Sequence, residues 1–286
     1  MPTLQLAPIG TAPSRNPPRA HSGHTVEPWM RVAKKQQEIL SAWQLVYHVY
    51  VHTGLILANP FCIHTMPQAV SNRAAVLLNC KDDQIESTLT GILDGPMGLP
   101  VDAVYSKQLN QLRREGRRLM ECGMFAHRWQ VQPVGDRLAR DGTEQVSAAQ
   151  QMKRISQSLT GLMRLCFYFG LTHGVTDFII GVHPRHARFY ERAFGFKRHG
   201  PERSYATVNN RPVVLLRGDL RKQIEQNPMP AALQHCLDNP VDTSDFSQRF
   251  RFNTPNGPVP MWPVDLFLRN KYPGRDWRGC AQRMVV

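Results

Sequence analysis

The sequence predicts an α/β protein in which a mixed β-sheet is flanked by helices, with irregular extensions at both ends of the chain. Segments with helical periodicity alternate with short apolar or alternating segments. That order favours a mixed α/β sheet over a helical bundle or a β-sandwich. A chain of 286 residues, 42% of them hydrophobic, also has enough apolar side chains for the core of one large domain.

Composition divides the chain into three parts. Residues 1–28 are rich in Pro, Ser, Thr and Gly without apolar periodicity, which predicts a disordered arm. Residues 29–220 carry the alternating elements and form the predicted folded domain. Residues 221–286 contain many Pro, Asn and Asp residues, so we expect an irregular extension that packs partly on the domain.

The first half of the domain shows three clear elements. Apolar residues at steps of three and four predict a helix over Lys34–Val51, which ends at Gly54. The segments 74–78 and 85–93 read as strands joined by a hairpin turn at 81–84. The other predicted elements are a basic helix at 109–114, a strand at 119–128, a polar loop at 132–142, a long helix at 147–171, a strand at 178–182, a helix at 184–194 and a strand at 213–217.

Charge and cysteine content limit the functional classes. The formal net charge is +13, which favours an acidic partner such as nucleic acid, anionic lipid or an acidic protein. Zinc-finger spacing, RNA-binding aromatic motifs and a basic zipper are missing, so we expect no nucleic-acid partner. We also expect no membrane span, because no apolar run approaches about 20 residues. Six scattered cysteines and the lack of a secretory signal predict reduced thiols in the cytoplasm.

Two stretches resemble a known family. Leu99–Glu121 contains Leu-Pro-Val-Asp followed by Leu-Asn-Gln-Leu-Arg, and Gly174–Phe196 contains His-Pro-Arg-His-Ala-Arg-Phe-Tyr before Gly-Phe. Together they resemble the long-chain N-acyl amino acid synthases, which have the GNAT fold and are related to the N-acyl-homoserine-lactone synthases. The resemblance implies an acyltransferase with no tightly bound cofactor. Acyl carrier protein would deliver a long acyl chain on phosphopantetheine, and the α-amine of an amino acid would accept it.

The reaction assigns roles to individual residues. An ammonium must lose a proton before it attacks a thioester, and the resemblance places Glu121 beside the acceptor amine as general base. Its alternative is an edge-strand glutamate that points to solvent. Tyr190 would protonate the leaving thiolate, or would be a core aromatic residue. In the GNAT fold the strands at 119–128 and 178–182 would splay and offer backbone N–H groups to the oxyanion.

Binding of the acceptor requires further polar groups. A guanidinium can grip the amino-acid carboxylate, and Arg185 and Arg128 are candidates, with surface arginines as the alternative. His186 is a candidate hydrogen-bond donor, or only a helix-start residue. Asp94 is a candidate substrate-binding residue, although it could equally cap a turn. No metal site is expected, because the pair His48 and His52 lacks a third ligand.

The acyl donor is predicted from a poor phosphate-binding motif. The nearest match to the pyrophosphate loop of acetyl-CoA enzymes lies at 132–137, where Pro133 removes an amide and Asp136 adds a repelling charge. This favours acyl carrier protein, and the basic residues expected to bind it are Arg113, Arg114, Arg117 and Arg118. Two alternatives stay open: a CoA-dependent N-acyltransferase, and a non-catalytic module of the same fold that binds acyl carrier protein or lipid.

Overall fold

A computed structural model describes residues 29–131, 147–250, 253–254, 257–258, 264–271 and 273. The predicted N-terminal arm and the polar loop at 132–142, with the predicted phosphate-binding motif, lie outside these ranges. None of the helices in the described ranges is long and apolar enough to cross a membrane.

The centre of the molecule is an eight-stranded mixed sheet, which confirms the predicted α/β class. Its strands are β1 (Met30–Val32), β2 (Ala74–Lys81), β3 (Gln84–Leu93), β4 (Leu119–His127), β5 (Asp177–Val182), β6 (Lys197–Arg198), β7 (Arg203–Tyr205) and β8 (Arg211–Asp219). The order across the sheet is β1-β2-β3-β4-β5-β8-β6, and β7 also pairs with β8. Among these strands β4 and β5 are parallel, and the other neighbours are antiparallel.

Helices cover both faces of the sheet. They are α1 (Gln36–His52), α2 (Asp102–Arg114), α3 (Ala148–Thr172) and α4 (Pro184–Phe194), followed in the C-terminal extension by α5 (Leu220–Glu225), α6 (Ala231–Asp238) and α7 (Val264–Lys271). Buried residues of α1 and α2 share one hydrophobic cluster, which includes Trp43 and Tyr105. Buried residues of α3 and α4 share a second cluster on the opposite face, which includes Phe169 and Phe194.

Local sequence signals explain where these elements begin and end. Asp82 and Asp83 both have positive φ, 49° and 58°, and form the two-residue turn that joins β2 to β3. Helix α3 begins with a capping box, in which Ser147 Oγ accepts from the Gln150 amide at 3.2 Å and the Gln150 side chain accepts from the Ser147 amide at 2.7 Å. Helix α4 begins at Pro184 and ends before Gly195, whose φ is 71°.

The described part of the C-terminal extension contains regular elements among its loops. These are α5, α6 and α7, a 3₁₀ turn at Thr243–Gln248 and a short hairpin of Asn253–Thr254 with Gly257–Pro258. Its apolar residues complete both cores. Leu233 and Cys236 of α6 join the α3/α4 cluster, whereas Phe267 and Leu268 of α7 join the α1/α2 cluster. Burial of these few apolar side chains attaches the extension to the domain. In the sequence they are hard to recognise, because many loop-forming residues surround them.

Candidate active site

A gap between β4 and β5 is the main feature of the candidate site. The two parallel strands pair at three positions, Leu119 with Asp177, Met120 with Phe178 and Glu121 with Ile179. Beyond Glu121, β4 continues to His127 and β5 to Val182 without a common ladder in the described residues. β5 stays paired with β8 along its whole length, so only the edge toward β4 is opened. The predicted splay of the two strands is therefore present, and it begins directly after Glu121.

A β-bulge shapes the opened part of β4. The register against β3 changes between the pairs Thr88–Ala126 and Thr90–Gly123, and Met124 within this step has φ of 52°. A methionine in the left-handed region is strained, and such strain is concentrated at functional sites. A bulge also bends its strand, so it turns β4 at the place where β4 leaves β5.

Glu121 lies buried at the apex of the gap. Its side chain is 6% exposed, which overturns the alternative of an edge glutamate in solvent. Glu121 Oε2 accepts a hydrogen bond from the Val101 amide at 2.9 Å, and Val101 directly precedes α2, whose N-terminus favours a negative charge. Burial has the larger effect and raises the pKa of Glu121 to about 8, with a smaller contribution from the charge of Asp102.

Open space lies beside the second oxygen of this carboxylate. A Cβ built on Gly123 would have one heavy-atom neighbour within 4 Å among the described residues, Glu121 Oε1 at 3.8 Å. Gly123 lies two residues further along β4, on the same face of the strand and next to the gap. A reacting group could therefore approach Glu121 Oε1 from the side of Gly123.

Two tyrosines flank the gap. Burial raises the pKa of Tyr50, on the last turns of α1, and the charge of Glu121 adds to this shift. Burial also raises the pKa of Tyr190 on α4, and the nearby Cys122 and Tyr50 add to it. Both phenols therefore keep their protons at neutral pH. Glu121 influences the pKa of Tyr50, and Tyr50 influences the pKa of Tyr190.

Tyr50 was not among the sequence-predicted site residues. Its place on the apolar face of α1 predicts a core aromatic residue, and Tyr190 also packs in a cluster of aromatic rings, 6.2 Å from Phe194 between centroids. One feature of the sequence could have identified Tyr50 as a site candidate. It is a tyrosine near the end of a helix, where the hydroxyl can reach the edge of the sheet.

A network of four charged side chains closes the paired end of β4 and β5. Asp177 is fully buried and accepts from Arg117, from Thr176 Oγ1 at 2.6 Å and from Arg217 Nε at 2.6 Å. Asp219 binds the same two arginines, at 2.8 Å and 3.0 Å. Arg117, predicted to bind acyl carrier protein, is therefore engaged in holding the ends of three strands together.

A second network holds the start of α2. The guanidinium of Arg113 binds Asp94 at 2.6 and 2.9 Å and Asp102 at 2.9 and 2.6 Å. The Asp94 and Asp102 carboxylates also accept the backbone amides of Gly95 and Leu99. Asp94, a predicted substrate-binding residue, and Arg113, a predicted carrier-binding residue, are therefore engaged with each other. Their predicted roles stay predictions.

The predicted carboxylate-binding residues are at different distances from Glu121. Arg128 donates to Gln84 beyond the end of β4, and at about 3.3 Å per residue it lies roughly 20 Å from Glu121. Its role as a carboxylate-binding residue stays a prediction. Arg185 and His186 lie at the exposed start of α4, where Arg185 Nε donates to His186 Nε2 at 3.0 Å. Their roles stay predictions.

Exposed arginines form two surfaces near the strands. Arg114 and Arg118 of the predicted carrier-binding set are exposed, at the end of α2 and just before β4. Arg185, Arg188 and Arg192 are exposed on α4 at spacings of three and four, which places them on one face of that helix. This α4 basic face lies on the helix that carries Tyr190.

The fold and the family match together define an acyltransferase of the GNAT type. The family described as N-acyl amino acid synthase FeeM matches residues 41–140 and 141–219, and the chain belongs to this family. It is therefore an acyltransferase that makes N-acyl compounds. No curated protein sequence matches the chain.

The chain is similar to several solved structures, of which FeeM supports the fold. FeeM, an N-acyl amino acid synthase from uncultured soil microbes, is 23% identical with a TM-score of 0.51, and the match covers 68% of this chain and 95% of FeeM. BjaI, a CoA-dependent acyl-homoserine lactone synthase, is 12% identical over 77% of this chain and 98% of its own, with a TM-score of 0.46. The homoserine-lactone synthase LasI is 14% identical over 66% and 87%, with a TM-score of 0.44.

Proposed function

We propose that this enzyme transfers a long acyl chain from acyl carrier protein to the α-amine of an amino acid. The observation that carries the proposal is a buried carboxylate, Glu121, placed where two parallel strands part. The open gap would admit the acyl-phosphopantetheine arm, and the space beside Gly123 would admit the amine. A carboxylate with a pKa of about 8 exchanges protons with an amine more readily than an ordinary surface carboxylate does.

The reaction follows from these groups. Ionised Glu121 accepts a proton from the ammonium, and the neutral amine attacks the thioester carbonyl, which forms the C–N bond and an oxyanion. Backbone N–H groups along the opened strand edges would stabilise that oxyanion. When the C–S bond breaks, the thiolate takes a proton from Tyr190, and the second proton of the nitrogen passes through solvent to reprotonate Tyr190. Glu121 returns the first proton to solvent. The products are an N-acyl amino acid and the free phosphopantetheine thiol.

Direct attack is favoured over an acyl-enzyme. The nearest thiol in the sequence to the base is that of Cys122, which is buried and lies 3.3 Å from the sulfur of Cys166. The contact with Cys166 and burial raise the pKa of Cys122. A thiol that stays protonated is a poor nucleophile. Rapid mixing should therefore show no burst of acylated protein.

The carrier protein would dock on basic side chains. Of the four arginines predicted for this role, Arg114 and Arg118 remain available on the surface. The α4 basic face offers a second surface on the helix that carries Tyr190, so a carrier bound there would place its thioester beside the proposed acid. We favour the α4 basic face for this reason, and we place the enzyme in the cytoplasm with its carrier.

Charge reversal separates these two surfaces. The pair Arg188→Glu with Arg192→Glu should raise the KM for acyl carrier protein and reduce its salt dependence, while turnover of the same acyl group on free pantetheine is unchanged. The matched pair Arg114→Glu with Arg118→Glu should have the smaller effect. If it has the larger effect, the carrier binds at the end of α2 instead. If neither pair changes the KM, docking is not electrostatic.

The product test decides the proposed reaction. Enzyme, long-chain acyl carrier protein and the twenty amino acids should give one or a few N-acyl amino acids by mass spectrometry, and acyl-CoA of equal chain length should react more slowly. A clear preference for acyl-CoA would show that acyl-CoA is the donor, while the rest of the proposal would stand. Hydrolysis without transfer to an amino acid would overturn it.

A further inference from the structure

The hydroxyl of Tyr50, in the last turn of α1, is a polar group that the fold itself does not use. The Tyr50 ring packs on the α1/α2 cluster and lies 5.3 Å from the His64 ring. The residue is half-buried, and its hydroxyl makes no hydrogen bond to any residue that the structure describes. Tyr47, one turn earlier, differs in this respect, since its hydroxyl donates to the Asn59 carbonyl at 3.3 Å. A phenol that is held by its ring and unpaired at its oxygen is available to a ligand.

The end of α1 lies at the opened end of the β4–β5 pair. A Cβ built on Gly54, which follows α1, would lie 3.2 Å from Arg211 Nη2. Arg211 begins β8, which pairs with the opened part of β5. In that part of β5, Gly181 is exposed, and a Cβ built on it would lie 3.3 Å from Val213 Cγ2. Tyr50, four residues before Gly54, is therefore close to the opening of the gap.

Tyr50 and Glu121 share one face of the sheet. Val101 belongs to the α1/α2 cluster on which Tyr50 packs, and its amide donates to Glu121 Oε2 at 2.9 Å. Val101 Cγ2 would also lie 3.1 Å from a Cβ built on Gly181, so Val101 connects β4 to β5 on this face. Tyr190 packs on the α3/α4 cluster of the opposite face. The gap thus has the base and one phenol on one face, and the second phenol on the other.

The pKa values of the two phenols agree with this placement. Burial raises the pKa of Tyr50, and the charge of Glu121 adds to the shift. Tyr50 in turn contributes to the raised pKa of Tyr190. Because interactions between charges weaken with distance, Tyr50 lies near both the proposed base and the proposed acid. Tyr50 keeps its own proton at neutral pH, so its hydroxyl can donate a hydrogen bond.

The tetrahedral intermediate of the proposed reaction needs a donor between the base and the acid. One carbon carries the attacking nitrogen, the leaving sulfur and the oxyanion, so a hydroxyl near both Glu121 and Tyr190 can reach the oxyanion. We propose that the Tyr50 hydroxyl donates a hydrogen bond to this oxyanion, together with backbone N–H groups of the opened strands. The inference rests on the proposed function, since it assigns a further catalytic residue to the same reaction. Tyr50 keeps its proton throughout, and no covalent bond to it forms or breaks.

The test is Tyr50→Phe, which removes the hydroxyl and keeps the ring packed on His64. Loss of one oxyanion donor typically lowers kcat by about 10²- to 10³-fold. The KM values for acyl donor and amino acid should be unchanged, because the hydrogen bond acts in the transition state. The rise of kcat/KM near pH 8 should remain, since Glu121 is intact. Tyr47→Phe, on the same helix, is the matched control and should keep the wild-type kcat.

Two kinetic results would overturn the inference and leave acyl transfer standing. One is a kcat for Tyr50→Phe, with its fold verified by melting, that equals the kcat of Tyr47→Phe. The other is a higher KM for the amino acid with an unchanged kcat, which would place the hydroxyl on the acceptor instead of the oxyanion.

A binding experiment keeps the inference separate from the proposed function, which fails if wild-type enzyme transfers no acyl group to any amino acid. Two unreactive long-chain pantetheine analogues are compared by calorimetry. A phosphonate carries charged tetrahedral oxygens at the reacting position, and a thioether has no oxygen there. Tyr50→Phe should weaken binding of the phosphonate alone, by about tenfold to a hundredfold, the range of one hydrogen bond to a charged group. Equal affinity of wild type and Tyr50→Phe for the phosphonate would overturn the inference.

Discussion

The paired and the opened ends of β4 and β5 contain buried carboxylates in opposite states. At the paired end, burial pushes the pKa of Asp177 upward, but hydrogen bonds from Arg117, Thr176 and Arg217 outweigh it and the net pKa is lowered. Two positions along the ladder, Glu121 receives one backbone amide in the described residues, and its pKa rises to about 8. The first carboxylate stays ionised and holds strands together, whereas the second can exchange its proton near neutral pH.

The comparison predicts that the paired end is mainly structural. Asp177→Asn leaves Arg117 and Arg217 around a neutral group, and breaking a buried ion pair typically costs about 3–5 kcal/mol. Denaturant unfolding should show a lower midpoint with an unchanged slope. Asp245→Asn, which removes an exposed partner of Lys34, is the control and should cost less than about 1 kcal/mol. A loss for Asp177→Asn as small as that of the control would contradict a structural role for the network.

At the opened end, the raised pKa of Glu121 should make the protein less stable as the pH rises. The folded-state pKa of Glu121 is about 8, above its unfolded value, so the stability it contributes is present below about pH 4.5 and is lost as pH rises through 8. Glu121→Gln cannot ionise. Its unfolding free energy should therefore rise relative to wild type by about 2–4 kcal/mol between pH 5 and pH 9.

The control for this measurement is Glu115→Gln, which changes an exposed glutamate after α2. Its stability should follow the wild-type pH profile. Parallel profiles for wild type and Glu121→Gln would show that Glu121 ionises normally, and the contrast between the two ends would disappear.

The smallest expected effect concerns the leaving group. Tyr190→Phe removes the phenol proton and should lower kcat by about tenfold to a hundredfold, at the low end of general acid catalysis because a thiolate leaves readily. Tyr168→Phe is the matched control, since its hydroxyl donates to the Cys236 carbonyl on the far side of α3. Unchanged kcat in Tyr190→Phe would leave Tyr190 as a core aromatic residue.

The sequence predicted the secondary-structure elements better than it predicted the tertiary partners of the charged side chains. The Lys34–Val51 helix, the Asp82–Asp83 turn and the long α3 follow from periodicity and turn chemistry, which are local properties. Glu121 was selected through the resemblance to the N-acyl amino acid synthases. The tertiary partner of an arginine is not a local property. Arg113 and Arg117 look like surface cations in sequence, and only the chain path shows that Asp94, Asp102 and Asp177 meet them.

The most direct test of the account is the rate of amide formation with Glu121→Gln. With saturating acyl donor, wild-type kcat/KM for the amino acid should rise with pH through about 8 as Glu121 ionises. The Gln variant, with its fold verified by melting, should lose about 10²- to 10⁴-fold in rate and the part of the rise near pH 8 that Glu121 causes. Glu115→Gln should match wild type. A Glu121→Gln rate near that of wild type, with the same pH profile, would contradict Glu121 as the base.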